Sequence, residues 1–162
     1  MSGLVIDCGG GRGARPGGKL DRVEMFYDAA QPGGEWSRLQ RHPVEFAITW
    51  RAMEEYLPAA PARVIDIGGG PGRYAIALAE RGYRVTLADL SSQLVVEARA
   101  RAAEARVELE DVVHANACDL SAFAADSFDA ALLMGPLYHL LEHEQRLRAV
   151  REAHRVLRPG GI

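Results

Sequence analysis

Two short apolar runs, each closed by an aspartate, stand on either side of a glycine loop and a helical stretch. The first is Val64-Ile65-Asp66-Ile67, followed by Gly68-Gly69-Gly70-Pro71-Gly72; the second is Val85-Thr86-Leu87-Ala88-Asp89. This order constrains the fold more than any other feature of the chain. Apolar runs of this length without alternation suit strands covered on both faces. A helix lying between two such strands is the crossover that makes them parallel neighbours, and crossovers of this kind are right-handed. The segment therefore predicts a βαβ unit.

The alternation continues to the end of the chain. Residues 64–67 read as a strand, 73–81 as a helix stopped by Gly82, and 84–88 as a second strand. Ser91 or Ser92 caps a helix reaching about residue 105, with Leu94, Val95, Ala98 and Ala102 on one face. Residues 112–115 and 128–134 read as third and fourth strands. A last helix over about 142–157 has Leu147, Val150, His154 and Leu157 as its expected apolar face. The predicted class is α/β, a Rossmann-like doubly wound parallel sheet. After it, Val156-Leu157-Arg158-Pro159-Gly160-Gly161-Ile162 reads as a helix stop, a turn and the first residue of a fifth strand. The C-terminal strands are expected to be missing, so the chain reads as truncated, with an open sheet edge available for self-association.

The region before the first strand divides in two. Val5-Ile6-Asp7-Cys8-Gly9-Gly10-Gly11-Arg12-Gly13 echoes the later loop, but Pro16-Gly17-Gly18 follows it and prevents a helix from starting there. Residues 1–20 are expected to be a flexible leader. Residues 21–62 read as a helical cap segment in which Pro43 opens a helix and Phe46, Trp50, Met53 and Leu57 recur at helical spacing. Packing is the simpler role for Trp50, whereas Tyr27 and Trp36 suit packing and the lidding of a pocket equally. Residues 63–162 form the main domain.

Charge and cysteine usage narrow the partners. A net charge of -3 offers phosphate backbones no general attraction, so no nucleic acid is favoured as a partner. Cys8 and Cys118 make no disulfide framework, and neither has a second Cys or His at metal-ligand spacing, so no metal is expected. The N-terminus lacks a signal-peptide pattern and no apolar run approaches the roughly 18 residues a membrane span needs. The expected setting is cytoplasmic, without a membrane partner. His154 reads as a helix-face residue, and the Arg and Glu residues around it as a solvated face.

The loop carries the chemistry. In a doubly wound sheet, ligands bind beyond the carboxyl ends of the strands where strand order reverses. Gly68, Gly70 and Gly72 remove side chains so that a ligand can approach the backbone, and the following helix aims its N–H groups at it. Asp89, closing the second strand, is placed to accept the hydroxyls of a ribose. Gly70-x-Gly72-x-x-Ala75 formally satisfies a dinucleotide fingerprint. Against that, Asp66 precedes the first glycine, where a carboxylate repels a pyrophosphate but suits a ligand bearing an ammonium group and a sulfonium. Ala115-Asn116-Ala117-Cys118-Asp119-Leu120, after the third strand, adds polar groups suited to an adenine edge.

Taken in order, these features resemble a class I S-adenosylmethionine-dependent methyltransferase of the broad, small-molecule type, over residues 63 to 162. Asp66 through Gly72 is similar to that family's first motif, and Asp89-Leu90-Ser91 to its ribose-binding acid. Asn116-Ala117 falls where the family usually has Asp-Ala. Asp126-Ser127-Phe128-Asp129, then Leu132-Leu133-Met134-Gly135-Pro136-Leu137-Tyr138-His139, resembles the fourth strand and the loop that leaves it, and Arg155 through Gly161 the turn before the fifth. The resemblance implies S-adenosylmethionine as cofactor. Gly68, Gly70 and Gly72 would pack on its methionine part, and Asp66 would hold the amino group directly or through water. Asp89 would take the ribose, Leu90 an adenine face, and Asn116 and Ala117 the adenine edge, with Met134 also in the cofactor set. Tyr138 and His139 are the catalytic candidates, able to orient or deprotonate an acceptor, although packing and turn capping account for them equally well.

In-line methyl transfer needs little beyond alignment, so the implied activity is methylation of a small-molecule acceptor. Gly135-Pro136-Leu137-Tyr138 departs from the sequence of family members that act on exocyclic amines of nucleobases. Two other readings stay open: an NAD-linked oxidoreductase domain, and a non-catalytic cofactor-binding fragment.

Overall fold

The computed structural model describes residues 20–31 and 33–162. Apart from Leu20, the expected leader lies outside the described residues.

Among the described residues, three helices precede the sheet: α1 (Leu20–Asp28), α2 (Gly34–Gln40) and α3 (Pro43–Tyr56). Then come β1 (Arg63–Ile67), α4 (Arg73–Ala79), β2 (Arg84–Asp89), α5 (Ser92–Ala105), β3 (Asp111–His114), β4 (Ala130–Leu132), α6 (Pro136–His139) and α7 (His143–Val156). The sheet runs β3-β2-β1-β4, and every pairing is parallel. Strand order reverses at β1, which has β2 on one side and β4 on the other. This is the doubly wound arrangement the sequence predicts.

Both faces of the sheet are covered, which is why its strands are apolar without alternating. Ile65 and Ile67 of β1 pack with Leu120, Phe128, Leu140, Ala149 and Val156 on one side. Val64, Val85 and Leu87 pack with Leu78, Val95, Ala98, Trp50 and Met53 on the other. Each fully buried Val, Leu or Ile contributes about 1.5–3 kcal/mol relative to exposure. On α5 the expected face is the buried one: Leu94, Val95, Ala98 and Ala102. Its N-terminus is capped by Ser91, whose Oγ accepts the Leu94 N–H at 3.1 Å.

The last helix differs from expectation. α7 buries Gln145, Ala149, Ala153 and Val156, while Val150 is 47% exposed and His154 is exposed. The alanines let the helix approach the sheet closely. Two arginines then fix its roll about its axis. Arg146 donates to the carbonyls of Leu140 and Leu141, both at 2.7 Å, and Arg155 to those of Leu120 and Phe123 at 2.8 and 3.0 Å. Apolar periodicity alone does not register such anchors.

The fourth strand is also shorter than read, with three residues against the seven of 128–134. Phe128 makes an isolated parallel bridge to Leu157, and α6 begins at Pro136. The pairing of the chain's last residue follows expectation. The Ile162 N–H donates to the Asp129 carbonyl at 3.1 Å and the Ala131 N–H to the Ile162 carbonyl at 2.8 Å.

Among the first three helices, α3 is a packing element. Trp50 and Met53 are buried, Phe46 stacks against both Trp50 and Tyr74, and the Arg81 guanidinium lies 4.0 Å over the Trp50 ring. α1 reaches over the carboxyl ends of the strands. Its Val23 is buried in the same cluster as Ile65, and Asp28 accepts hydrogen bonds from Ser91, Ser92 and Gln93 at the start of α5. Trp36, on α2, sits under the Arg101 guanidinium of α5.

Candidate functional site

An open pocket with about 680 Å³ of empty space lies where the strand order reverses. Gly68 and Gly70 after β1 and Asp89 and Leu90 at the end of β2 form its floor. Asn116 and Ala117 after β3 line one wall, and Pro136, Tyr138 and His139 of α6 another. α1 closes the top with Val23, Glu24 and Tyr27.

Two glycines in the loop have separate duties. Gly68 has φ +73°, and a Cβ there would fall 2.5 Å from Pro136 Cγ, so its absence lets α6 lie directly on the loop. Gly70 has φ +57°, with nothing within 4 Å of where a Cβ would stand. Its bare face is open space in the pocket. The left-handed backbone turns the Gly70 N–H toward β2, where it donates to Asp89 Oδ2 at 2.8 Å.

Asp89 is 8% exposed, and its other oxygen, Oδ1, accepts the Ser91 N–H at 2.8 Å. Burial pushes the carboxyl above its ordinary range, while these two N–H donors pull against that shift. Asp66 lies deeper. It is 2% exposed and does not line the pocket; Oδ2 would stand 2.7 Å from a Cβ on Gly69, which places the carboxyl under the loop. The Ala75 N–H, in the first turn of α4, donates to this carboxyl, yet Oδ2 has no hydrogen-bond partner. Burial, reinforced by the negative charge of Asp89, pushes the Asp66 pKa up to about 7.

The remaining walls are less polar. The Leu90 carbonyl meets His114 Nε2 at 2.6 Å, leaving the side chain to face the pocket. Asn116 lines the wall; its Oδ1 accepts the Cys118 N–H at 2.9 Å, and the second lone pair of that oxygen and the NH₂ group remain for a ligand. Among the described residues no Lys or Arg lines the pocket, whereas Glu24, Glu35 and Asp89 all do. The electrostatics favour a cation.

At the mouth, three aromatic groups meet. Tyr27 Oη lies 3.0 Å from His139 Nε2, the two rings edge to face, and the Tyr138 ring is tilted onto His139 at 4.2 Å. Burial holds the imidazole below its ordinary pKa, partly offset by Glu35. Burial and the neighbouring Tyr138 raise that of the Tyr27 phenol. Both groups are therefore neutral near pH 7, and we assign the Tyr27 O–H as donor to Nε2.

Gly68, Gly70, Asp89, Leu90, Asn116, Ala117, Tyr138 and His139 thus come together around one pocket, as the sequence suggests. Asp66, Gly72 and Met134 do not line it. Asp66 turns beneath the loop toward α4. Gly72 is the N-cap of α4, close to Leu87 and Ala98. Met134 is 39% exposed, one residue before the chain turns into α6. Of the two aromatics read as packing or lidding, Tyr27 lines the pocket and Trp36 does not; the sequence gives no sign of Val23, Glu24 and Glu35 as wall residues. Their placement depends on how α1 and α2 lie over the strand ends, and no local pattern signals that. No group of three His, Cys, Asp or Glu side chains able to hold a metal occurs among the described residues.

Residues 64–161 match the family model described as "Methyltransferase domain". The chain is 34% identical over 121 residues to tRNA 5-carboxymethoxyuridine methyltransferase of Escherichia coli, covering 72% of this chain and 45% of that protein. It is 37% identical over 105 residues to ubiquinone biosynthesis O-methyltransferase of Xanthomonas oryzae pv. oryzae, covering 65% and 42% respectively. Among solved structures it is similar to a SAM-dependent methyltransferase from Methanosarcina mazei. That match has 32% identity and a TM-score of 0.59, over 67% of this chain and 52% of that one. The chain spans less than half the length of these curated relatives.

Proposed function

The chain belongs to the class I S-adenosylmethionine-dependent methyltransferase family, and on that premise we propose that its pocket binds S-adenosylmethionine for in-line methyl transfer to a small-molecule acceptor. The observation that carries this reading is the acidic floor. Asp89 is held against the loop by the Gly70 N–H, Asp66 lies beneath it with one oxygen unpartnered, and among the described side chains no Lys or Arg lines the cavity. A ligand carrying a sulfonium and an ammonium group is attracted there. A pyrophosphate is repelled, which counts against the NAD-linked alternative.

The residues present fit the cofactor. Gly70 leaves open space for its methionine part, and the Asp66 carboxyl under the loop supplies the charge that draws the ammonium group. Asp89 has lone pairs left on both oxygens for the ribose hydroxyls, while Leu90, Asn116 and Ala117 border the adenine. Bound there, S-adenosylmethionine supplies an electrophilic methyl on sulfur. The protein's task is to align an acceptor with that methyl and to keep water away, for which α6 and α1 make the walls. Residues 21–62 act in this reading as the cap over the catalytic domain.

A small acceptor is favoured by the rim. Glu24 and Glu35 stand at the pocket, and the net charge is -3, an unfavourable combination for a nucleic-acid polyanion. Calorimetric titration with S-adenosylmethionine, S-adenosylhomocysteine and NAD tests the cofactor assignment. One-to-one binding of the first two without NAD is expected. Heat from NAD alone, or from none of the three, would sink it.

A further inference from the structure

The contact between Tyr27 and His139 joins residues 112 positions apart, from the first helix and from the loop that leaves the fourth strand. It sits at the pocket mouth, where an acceptor must come in to meet a methyl group held below. What occupies His139 Nε2 in the free chain is a phenolic hydroxyl on a flat ring. The surroundings suit such a ring: Val23, Pro136 and Leu140 line the same space, and Tyr138 lies against the imidazole.

We infer that Tyr27 occupies the place of the acceptor, and that the acceptor is therefore a hydroxyl on an aromatic or enolic carbon, methylated on oxygen. This rests on the cofactor reading above and sharpens its acceptor side. The incoming hydroxyl displaces the Tyr27 O–H and donates in its stead to His139 Nε2. The acceptor oxygen then forms its bond to the methyl carbon as the carbon–sulfur bond breaks, leaving a neutral thioether. The hydroxyl proton passes to His139 Nε2 and from there to water. A neutral imidazole is required for this, and the burial that keeps His139 uncharged provides it.

Displacement needs only rotation of the Tyr27 side chain, because the helix on either side of it is held: Val23 is buried in the core, and Asp28 is bonded to Ser91, Ser92 and Gln93 of the sheet domain. Tyr27 is then a competitor built into the chain, and His139 the catalytic residue.

The test uses the whole chain saturated with S-adenosylhomocysteine, followed by NMR of its histidine side chains. Catechol, aniline and benzoate serve as probes. Catechol is expected to shift the His139 imidazole and the Tyr27 ring resonances together, and aniline and benzoate to shift neither. Tyr27→Phe removes the competitor, so catechol binding should tighten several-fold; a purely structural tyrosine would leave it unchanged or weaken it. His139→Gln should abolish the selectivity for catechol over aniline. Equal responses to aniline and catechol, or no response of His139 to any phenol, would overturn the inference. Failure of S-adenosylhomocysteine to bind overturns instead the cofactor assignment on which it rests.

Discussion

Asp66 carries an oxygen with no partner in a place where an unpaired charge is costly, and at about 7 its pKa sits where small changes in pH alter its charge. The sign follows from the shift. The folded pKa is raised above the ordinary 3.8, so the native state holds this proton more tightly than the unfolded chain. The stability it contributes is complete below about pH 4 and is lost as pH rises through 7. Binding of a cation runs the other way, because it favours the carboxylate. S-adenosylmethionine affinity should therefore rise between pH 6 and 8, and Asp66→Asn should flatten that rise; equal slopes in both proteins would refute the link. At Gly70, an added methyl meets open space but a left-handed backbone. Gly70→Ala should cost about 1 kcal/mol of stability by denaturant titration. It should weaken cofactor binding more than that, by about tenfold or greater, because the methyl fills the cradle. The glycines and both acids were legible in the sequence, since each marks a strand end. That Asp66 turns beneath the loop, and reaches a ligand only through the field of its charge, was not. Side-chain direction at a strand's last residues depends on what the following helix covers.

At the scale of elements, α1 is the part least specified by its own residues. Its contacts are to segments far away in the chain, Val23 to the core, Tyr27 to α6 and Asp28 to α5. The hydrogen bonds on Asp28 outweigh the cost of its burial and hold the carboxyl below its ordinary range, so this anchor weakens only as pH falls through that range. Asp28→Ala should release α1 while leaving the sheet intact. Amide exchange in 20–28 is expected to accelerate by about tenfold, equivalent to about 1.4 kcal/mol, with rates in β1 and β2 unchanged. Uniform acceleration would mean that the contact supports the whole fold. The same dependence on distant partners explains which elements the sequence disclosed. α5, whose buried face is aliphatic, was readable by period alone. α7 was not, because alanines and anchored arginines, invisible to an apolar count, decide its roll.

At the scale of the whole molecule, charge supports the proposed small acceptor. One of the curated relatives is named for a tRNA substrate, and a protein working on tRNA would ordinarily present basic surface near its pocket. Here the pocket is bordered by Glu24 and Glu35, and nearby arginines are committed: Arg38, whose charge acts on Tyr27 and Tyr138, to Glu35, Arg101 of α5 to Glu97 and Glu104, and Arg99 to the Val112 carbonyl. Neutralising phosphates with such residues would first require breaking those pairs. Labelled tRNA titrated into the cofactor-saturated chain should therefore give no anisotropy change at about 150 mM salt, where phosphate-binding proteins still associate non-specifically with Kd near 10⁻⁴–10⁻⁶ M. At lower salt any weak signal should show a shallow dependence on ionic strength, since few counterions are released. Tight binding with a steep slope would shift the acceptor class to RNA and leave the cofactor assignment standing, because the floor and the rim of the pocket are built from different residues.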